Sequence, residues 1–222
     1  MSNKLPLQVI QQVGRAADIV RQGGIIAFPT DTVYGLGADI FNREAVERVY
    51  QIKQRPHNLA FPVLLADMSQ IPIVASSVSD IAQFLMNRFW PGGLTLVLPR
   101  AASLPDIVTA GNSNVAVRIP EHAVPVAIIQ ISGTPIIGTS ANVSGKPSAL
   151  TAQEIEQQLG SEIGLIIDGG KCPGGIESTI VDVTGHVPVI LRQGAIPEDE
   201  IKQAYQEYNN KEVSENAYCS GL

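Results

Sequence analysis

Residues 9–39, VIQQVGRAADIVRQGGIIAFPTDTVYGLGAD, change their apolar period once, and that change decides the fold class. Val9, Ile10, Val13, Ala16, Ala17 and Val20 recur at helical spacing, and Gly23-Gly24 then stops the helix and turns the chain. Ile25 to Phe28 follows at once as a buried strand. After it comes a polar loop, Pro29 to Gly37, with hydroxyls and two glycines that could let backbone approach a ligand. An ordinary turn is the alternative for that loop.

Outward from this stretch the two periods keep alternating. Asn42 can cap a second helix whose apolar face is Ala45, Val46, Val49 and Ile52, ending near Lys53 to Arg55 because Pro56 limits it. Further helices are expected near Val78 to Phe89, Val124 to Ile131, Ala152 to Leu159 and Glu198 to Tyr208, with Thr151 and Glu154 forming a capping box for the third of these. Strands are expected at Phe61 to Leu65, Leu94 to Leu98, Val115 to Ile119, Pro135 to Ile137, Leu165 to Asp168, Ser178 to Val183 and Val187 to Leu191. The mixture predicts one α/β domain over 1–208 on an open, twisted, mixed sheet with flanking helices. Residues 209–222 are polar without helical period and read as a flexible tail.

With 45% hydrophobic and 16% charged residues the chain is globular, and with only 5% aromatics its core must be mainly aliphatic. No apolar run reaches the roughly 18 residues of a membrane span and the first residues are too polar for a secretory signal, so a cytoplasmic protein is expected. Cys172 and Cys219 form no metal or disulfide pattern and read as free thiols. A net charge of −6 disfavours direct tRNA binding by bulk electrostatics, while 15 Lys and Arg can still supply a local anion site.

Familiar motifs fail on spacing. Gly145-Lys146 has Ser140 where a P-loop needs Gly, Gly138 to Asn142 lacks the last Gly of a nucleophile elbow, and no H-E-x-x-H occurs. What remains is polar residues just outside apolar runs, where open α/β sheets bind ligands. They are the loop with Thr30 and Thr32; Lys53 and Arg55 at a proline-ended helix; Arg118 amid an apolar strand; the donor-rich loop with Ser140 and Asn142; and Glu177-Ser178-Thr179 coupled with Arg192-Gln193-Gly194. Each has a bland alternative: a turn, a solvated helix end, an internal carboxylate partner for Arg118, or loop punctuation. Together they hold cations, hydroxyls and pliable backbone but no evident nucleophile, acid/base histidine or metal cage. Such a set suits positioning and neutralising a nucleotide.

In order, PTDTVYGLGAD at 29–39, KQRP at 53–56, RFWPGGLTLVL at 88–98, VAVRIP at 115–120, TSANVSG at 139–145, ESTIVD at 177–182 and LRQGAI at 191–196 resemble the YrdC family of threonylcarbamoyl-AMP synthases, from about Val9 to Ile196. The resemblance implies a large concave cavity for ATP with its Mg2+, L-threonine and bicarbonate. It implies a carbamate on the threonine amine that joins the α-phosphate and releases pyrophosphate. Downstream transferase proteins then carry the group to tRNA. It implies Lys53, Arg55, Ser140, Asn142 and Arg192 on the ATP side, the first two as the catalytic pair, and Thr30, Thr32, Arg118 and Ser178 on the threonine side. One departure stands out: Leu59-Ala60-Phe61 replaces the Pro-Leu pair and ligand-binding His of some relatives, and His57 is not assigned that role. Relatives with an added C-terminal domain imply that this chain is the short form. Other readings are an RNA-binding module of the same fold and a carbamoyl-adenylating domain of hydrogenase maturation.

Overall fold

The computed structural model describes the backbone of residues 7–219 and the side chains of residues 7–211. Helix α1 (Leu7–Arg21) leads into β1 (Ile26–Phe28) and β2 (Gly35–Gly37), then α2 (Arg43–Ile52), β3 (Val63–Leu64), α3 (Ile71–Val74) and α4 (Asp80–Phe89). Next come β4 (Leu94–Pro99), α5 (Asp106–Thr109), β5 (Asn114–Arg118), α6 (Ala123–Ser132), β6 (Ile136–Ile137) and β7 (Thr139–Ser140). The chain continues with α7 (Ala152–Leu159), β8 (Leu165–Ile166), β9 (Thr179–Asp182), β10 (Val189–Arg192) and α8 (Glu198–Cys219).

The α/β class is borne out, with two open mixed sheets in place of the single one expected from the sequence. One has the order β7-β2-β1-β8 and the other β10-β9-β4-β5-β3-β6. The chain passes between them at Gly138, which alone separates β6 from β7; a Cβ there would overlap the Leu64 side chain. Period-2 patterning gives a strand's faces but not the sheet it joins, so this corner had no sequence signal.

Successive residues of β1 divide the interior. Ile26 and Phe28 pack with Val13, Ala16 and Val20 of α1 and with Val124 and Ile128 of α6. Ala27 faces the larger core with Val46, Leu85, Leu96 and Val117. The glycines of β2 serve this packing: a Cβ at Gly37 would lie 2.6 Å from the Phe28 ring and one at Gly35 3.0 Å from it. They make room for an aromatic ring across the antiparallel pair, where the sequence suggested room for a ligand.

The end of the chain also differs. Residues 209–219 continue α8 as helix. No Gly or Pro interrupts 198–219, so nothing removes an i→i−4 bond even though the apolar period fades. The side chain of Cys219 lies outside the described residues; Cys172 is a free, buried thiol. No helix among the described residues is long and apolar enough to cross a membrane.

Candidate active site

The K-x-R segment owes its shape to a helix cap. Lys53 is the C-cap of α2, the Gln54 N–H donates to Gln51 O (3.0 Å), and the Arg55 N–H donates to Tyr50 O (2.9 Å). These are the paired bonds of a Schellman motif, with Gln54 at the left-handed position (φ 49°) where glycine is usual. Pro56 therefore follows a helix already ended by its cap. Gln54→Gly should relieve the left-handed strain and stabilise the fold by about 0.5–1 kcal/mol. A higher urea midpoint at unchanged slope is the expected reading; a lower midpoint would show that the Gln54 side chain makes a contact of its own.

Because the chain turns at Gln54, Lys53 and Arg55 point to different places. Lys53 is 1% exposed, and its ammonium donates to Ser140 O, Asn142 O (2.8 Å) and Asn142 Oδ1 (3.4 Å). Burial, then the charge of Arg55, pushes its pKa down to about 7 against the pull of Glu177. Three acceptors on three N–H groups nevertheless match the ammonium, since a neutral amine would turn its lone pair on an oxygen. Asn142 is committed to the same loop: its Nδ2 donates to Lys146 O (2.5 Å) and Val143 O (3.1 Å). Lys53 and Asn142 thus brace the loop after β7.

Arg55 is half-buried. Its Nε donates to Leu59 O (3.0 Å), its Nη2 to Ala60 O (2.8 Å), and its guanidinium carbon lies 5.1 Å from the Phe61 ring centroid. The segment that departs from the family pattern is thus the cradle of Arg55. His57 turns away, stacked on Tyr50 and bonded to Glu47.

Thr30, Thr32 and Arg118 come together as expected, with an added partner. Arg118 is 6% exposed and donates through Nε to Gly92 O (2.8 Å), through Nη1 to Thr32 Oγ1 (2.9 Å) and through Nη2 to Asp31 Oδ1 (2.6 Å). Burial pushes its pKa down and Asp31 holds it up. Thr30 supports from behind: its hydroxyl donates to Val33 O (2.7 Å) and accepts from the Thr32 N–H (3.0 Å). A Cβ at Gly174 would meet Asp31 O at 2.6 Å, so the glycine-rich loop 169–175 lies directly on this turn.

The Ser178 hydroxyl pairs with Thr95 Oγ1 (2.8 Å) and accepts from Arg192 Nη2 (3.3 Å), so its neighbours are Thr95 and Arg192. Arg192 also donates through Nη2 (2.8 Å) and Nε (3.2 Å) to Ser178 O and through Nη1 to Glu177. The turn packs backbone against backbone: a Cβ at Gly194 would overlap Glu177 and Ser178, and the Ala195 N–H donates to Glu177 O (2.8 Å).

Electrostatics link the pieces. Arg55 and Arg118 each feel Arg192, and Lys53 feels Arg55. Among the described residues, Lys53, Arg55, Arg118 and Arg192 share the region with Asp31 and Glu177, each carboxylate paired with an arginine. The sequence singles out Glu177 only as the start of the E-S-T run set against Arg192, and allows Arg118 a carboxylate partner without naming Asp31, which stands between the two threonines. Composition gives no sign of which carboxylate faces which cation. Among the described residues no three His, Cys, Asp or Glu side chains converge as a metal site. A groove of about 680 Å3, as apolar as it is polar, is lined by Arg48, Gln51, Gln54, Gln158 and Glu162 together with Ile52, Val143 and Leu159.

The profile of the Sua5/YciO/YrdC family, described as telomere recombination, matches residues 18–194. The chain belongs to that family. Within it, the threonylcarbamoyl-AMP synthase of Bacillus subtilis is 43% identical over 192 residues, 86% of this chain and 56% of that protein. The crystal structure of Pyrococcus abyssi Sua5 complexed with L-threonine superposes with a TM-score of 0.85 at 41% identity, covering 87% of this chain and 57% of that one. This chain therefore spans little more than half the length of those two relatives. Escherichia coli YciO is closer in length: TM-score 0.76 at 29% identity, covering 85% of this chain and 91% of that one. In this Sua5/YciO/YrdC domain the cation cluster falls within or beside the segments that set the family resemblance.

Proposed function

We propose that this domain makes threonylcarbamoyl-AMP from L-threonine, bicarbonate and ATP. The observation that carries the reading is the excess of buried or half-buried cations, Lys53, Arg55, Arg118 and Arg192, over carboxylates that are already paired. A surplus of positive charge in a poorly solvated place is a demand for a polyanion. Arg118, with Thr32 beside it, suits an amino-acid carboxylate and hydroxyl; Arg55 and Arg192 suit the triphosphate. The names of the synthases in the family give the product, threonylcarbamoyl-AMP, and the three substrates are proposed from its chemistry.

In that reading the threonine ammonium and bicarbonate form a carbamate, releasing water and one proton. A carbamate oxygen then bonds to the α-phosphorus as the bond to the bridging oxygen breaks, and pyrophosphate leaves with the electron pair. The attacking oxygen is already anionic, so this step needs no catalytic base. The work of the protein is to align two anions and offset their repulsion. Magnesium is proposed as an ion carried by the nucleotide phosphates. Asp31 and Glu177 are engaged by arginines, and no step is assigned to the metal.

The test is incubation with ATP, magnesium, bicarbonate and labelled threonine, with the adenylate identified by mass. Pyrophosphate release should need threonine and bicarbonate together, and serine should support it less well. Equal rates with glycine or with water would replace the reading by a general ATPase. The adenylate is a mixed anhydride, so a transferase acting on tRNA is the proposed consumer, in the cytoplasm. Salt-dependent tRNA binding with no ATP-dependent product would favour an RNA-binding module instead.

A further inference from the structure

We infer that Glu177 is the positioning residue that aims Arg192 at the triphosphate, and that Ser148 locks Glu177 in turn. The inference rests on the nucleotide reading above for its ligand, and on geometry for everything else. Among the described residues Glu177 is the carboxylate that acts on Lys53 and Arg55 and pairs with Arg192, cations that would otherwise repel one another. It divides its two oxygens: Ser148 Oγ donates to Oε1 (2.7 Å), and Arg192 Nη1 donates to Oε2.

The other side of the same guanidinium is held by Ser178 O through Nε and Nη2. A planar cation fastened at opposite ends cannot rotate about its Cζ–Nε bond, and its remaining N–H groups keep one direction. Burial works to raise the Glu177 carboxyl. The Ser148 hydrogen bond, the charge of Arg192, a contribution from Ser140 and the charge of Lys53 together outweigh it, so the group stays ionised below the usual glutamate range. The residue joins three separate parts of the chain, the loop after β7, the start of β9 and the end of β10. It therefore couples the loop braced by Lys53 to the Arg192 fork.

Position and charge make opposite predictions for two conservative variants. Glu177→Asp keeps the charge but is one methylene too short to span Ser148 and Arg192. Glu177→Gln loses the charge but keeps the span, because the Ser148 hydroxyl can turn to accept from the amide while Oε1 accepts from Arg192. If Glu177 positions Arg192, Asp and Ala raise KM for ATP and Kd for inorganic pyrophosphate about 10- to 100-fold, as loss of a supporting partner does elsewhere, and Gln recovers most of it. Side-chain 15N spectra of the full chain, with Arg192 assigned by Arg192→Lys, report the restraint directly. Its Nη protons should be resolved separately in the parent protein and in Gln, and merged in Asp and Ala. Rescue by Asp and not by Gln would overturn positioning in favour of charge balance. Lower melting temperatures with unchanged KM and resolved Arg192 signals would reduce Glu177 to a structural role. Failure of the parent protein to bind ATP or pyrophosphate would sink the nucleotide reading, while the Arg192 signals would still decide whether Glu177 holds the guanidinium.

Discussion

Lys53→Ala is expected to cost the protein more stability than any loss of a surface cation could explain. The substitution leaves Ser140 O, Asn142 O and Asn142 Oδ1 in a buried place without their donor. An unsatisfied buried acceptor costs about 1–3 kcal/mol, so a total of about 3 kcal/mol or more is expected after partial relaxation. For a domain of this size that lowers the melting temperature by roughly 6–12 °C. Lys53→Met separates the causes: it keeps the stem's volume and removes only the donors, and it should fall nearly as far as Ala. Arg55→Ala is the contrast. Its contacts are two carbonyls and a ring face at a half-exposed site, so stability should change by about 1 kcal/mol or less while adenylate formation is lost. Two cations one residue apart would then have different work, one holding the loop and one meeting the ligand. A Lys53→Ala protein that melts with the parent would show that the loop stands without its strut.

The second large effect concerns Arg118. Arg118→Ala removes one partner of a buried ion pair and leaves Asp31 uncompensated, which typically costs about 3–5 kcal/mol. A poorly folded variant would say nothing about substrate, so Arg118→Lys is the sharper probe. It keeps the charge, but an ammonium cannot serve Gly92 O, Thr32 and Asp31 in one plane. The variant should fold with a modest loss of stability and fail to recognise threonine. Saturating threonine, at about 100 times its Kd, should stabilise the parent by about 2.7 kcal/mol. Arg118→Lys should show little of that shift at the same concentration. Full protection of the variant by threonine would remove Arg118 from the amino-acid site.

Much of this molecule was legible before any coordinates. Helical spacing marked α1, α2, α4, α6 and α7, Thr151 capped α7 as read, and the apolar runs gave β1, β4, β5, β8, β9 and β10 close to their observed ends. These features are local: a period, a cap or a run of branched residues depends on neighbours a few positions away. The residues brought together around Arg118 and Arg192 were also singled out, because polar groups just beyond apolar strands are conspicuous in the sequence. The family could be recognised from the order of its segments.

What tertiary structure alone decided is which group each of those residues answers to. The passage at Gly138 that splits one expected sheet into two depends on Leu64, far away in the chain. Lys53 and Arg55 looked like a pair facing one anion. The left-handed Gln54 and the carbonyls of a loop nearly ninety residues on turned Lys53 inward instead. Asp31 and Glu177 gained their importance from arginines 87 and 15 residues distant. A hydrogen bond or an ion pair is fixed by proximity in space, which the sequence encodes only through the fold. Its local patterns could therefore name the cations of the site, and Glu177 within a polar run, but not which carboxylate or carbonyl holds which cation.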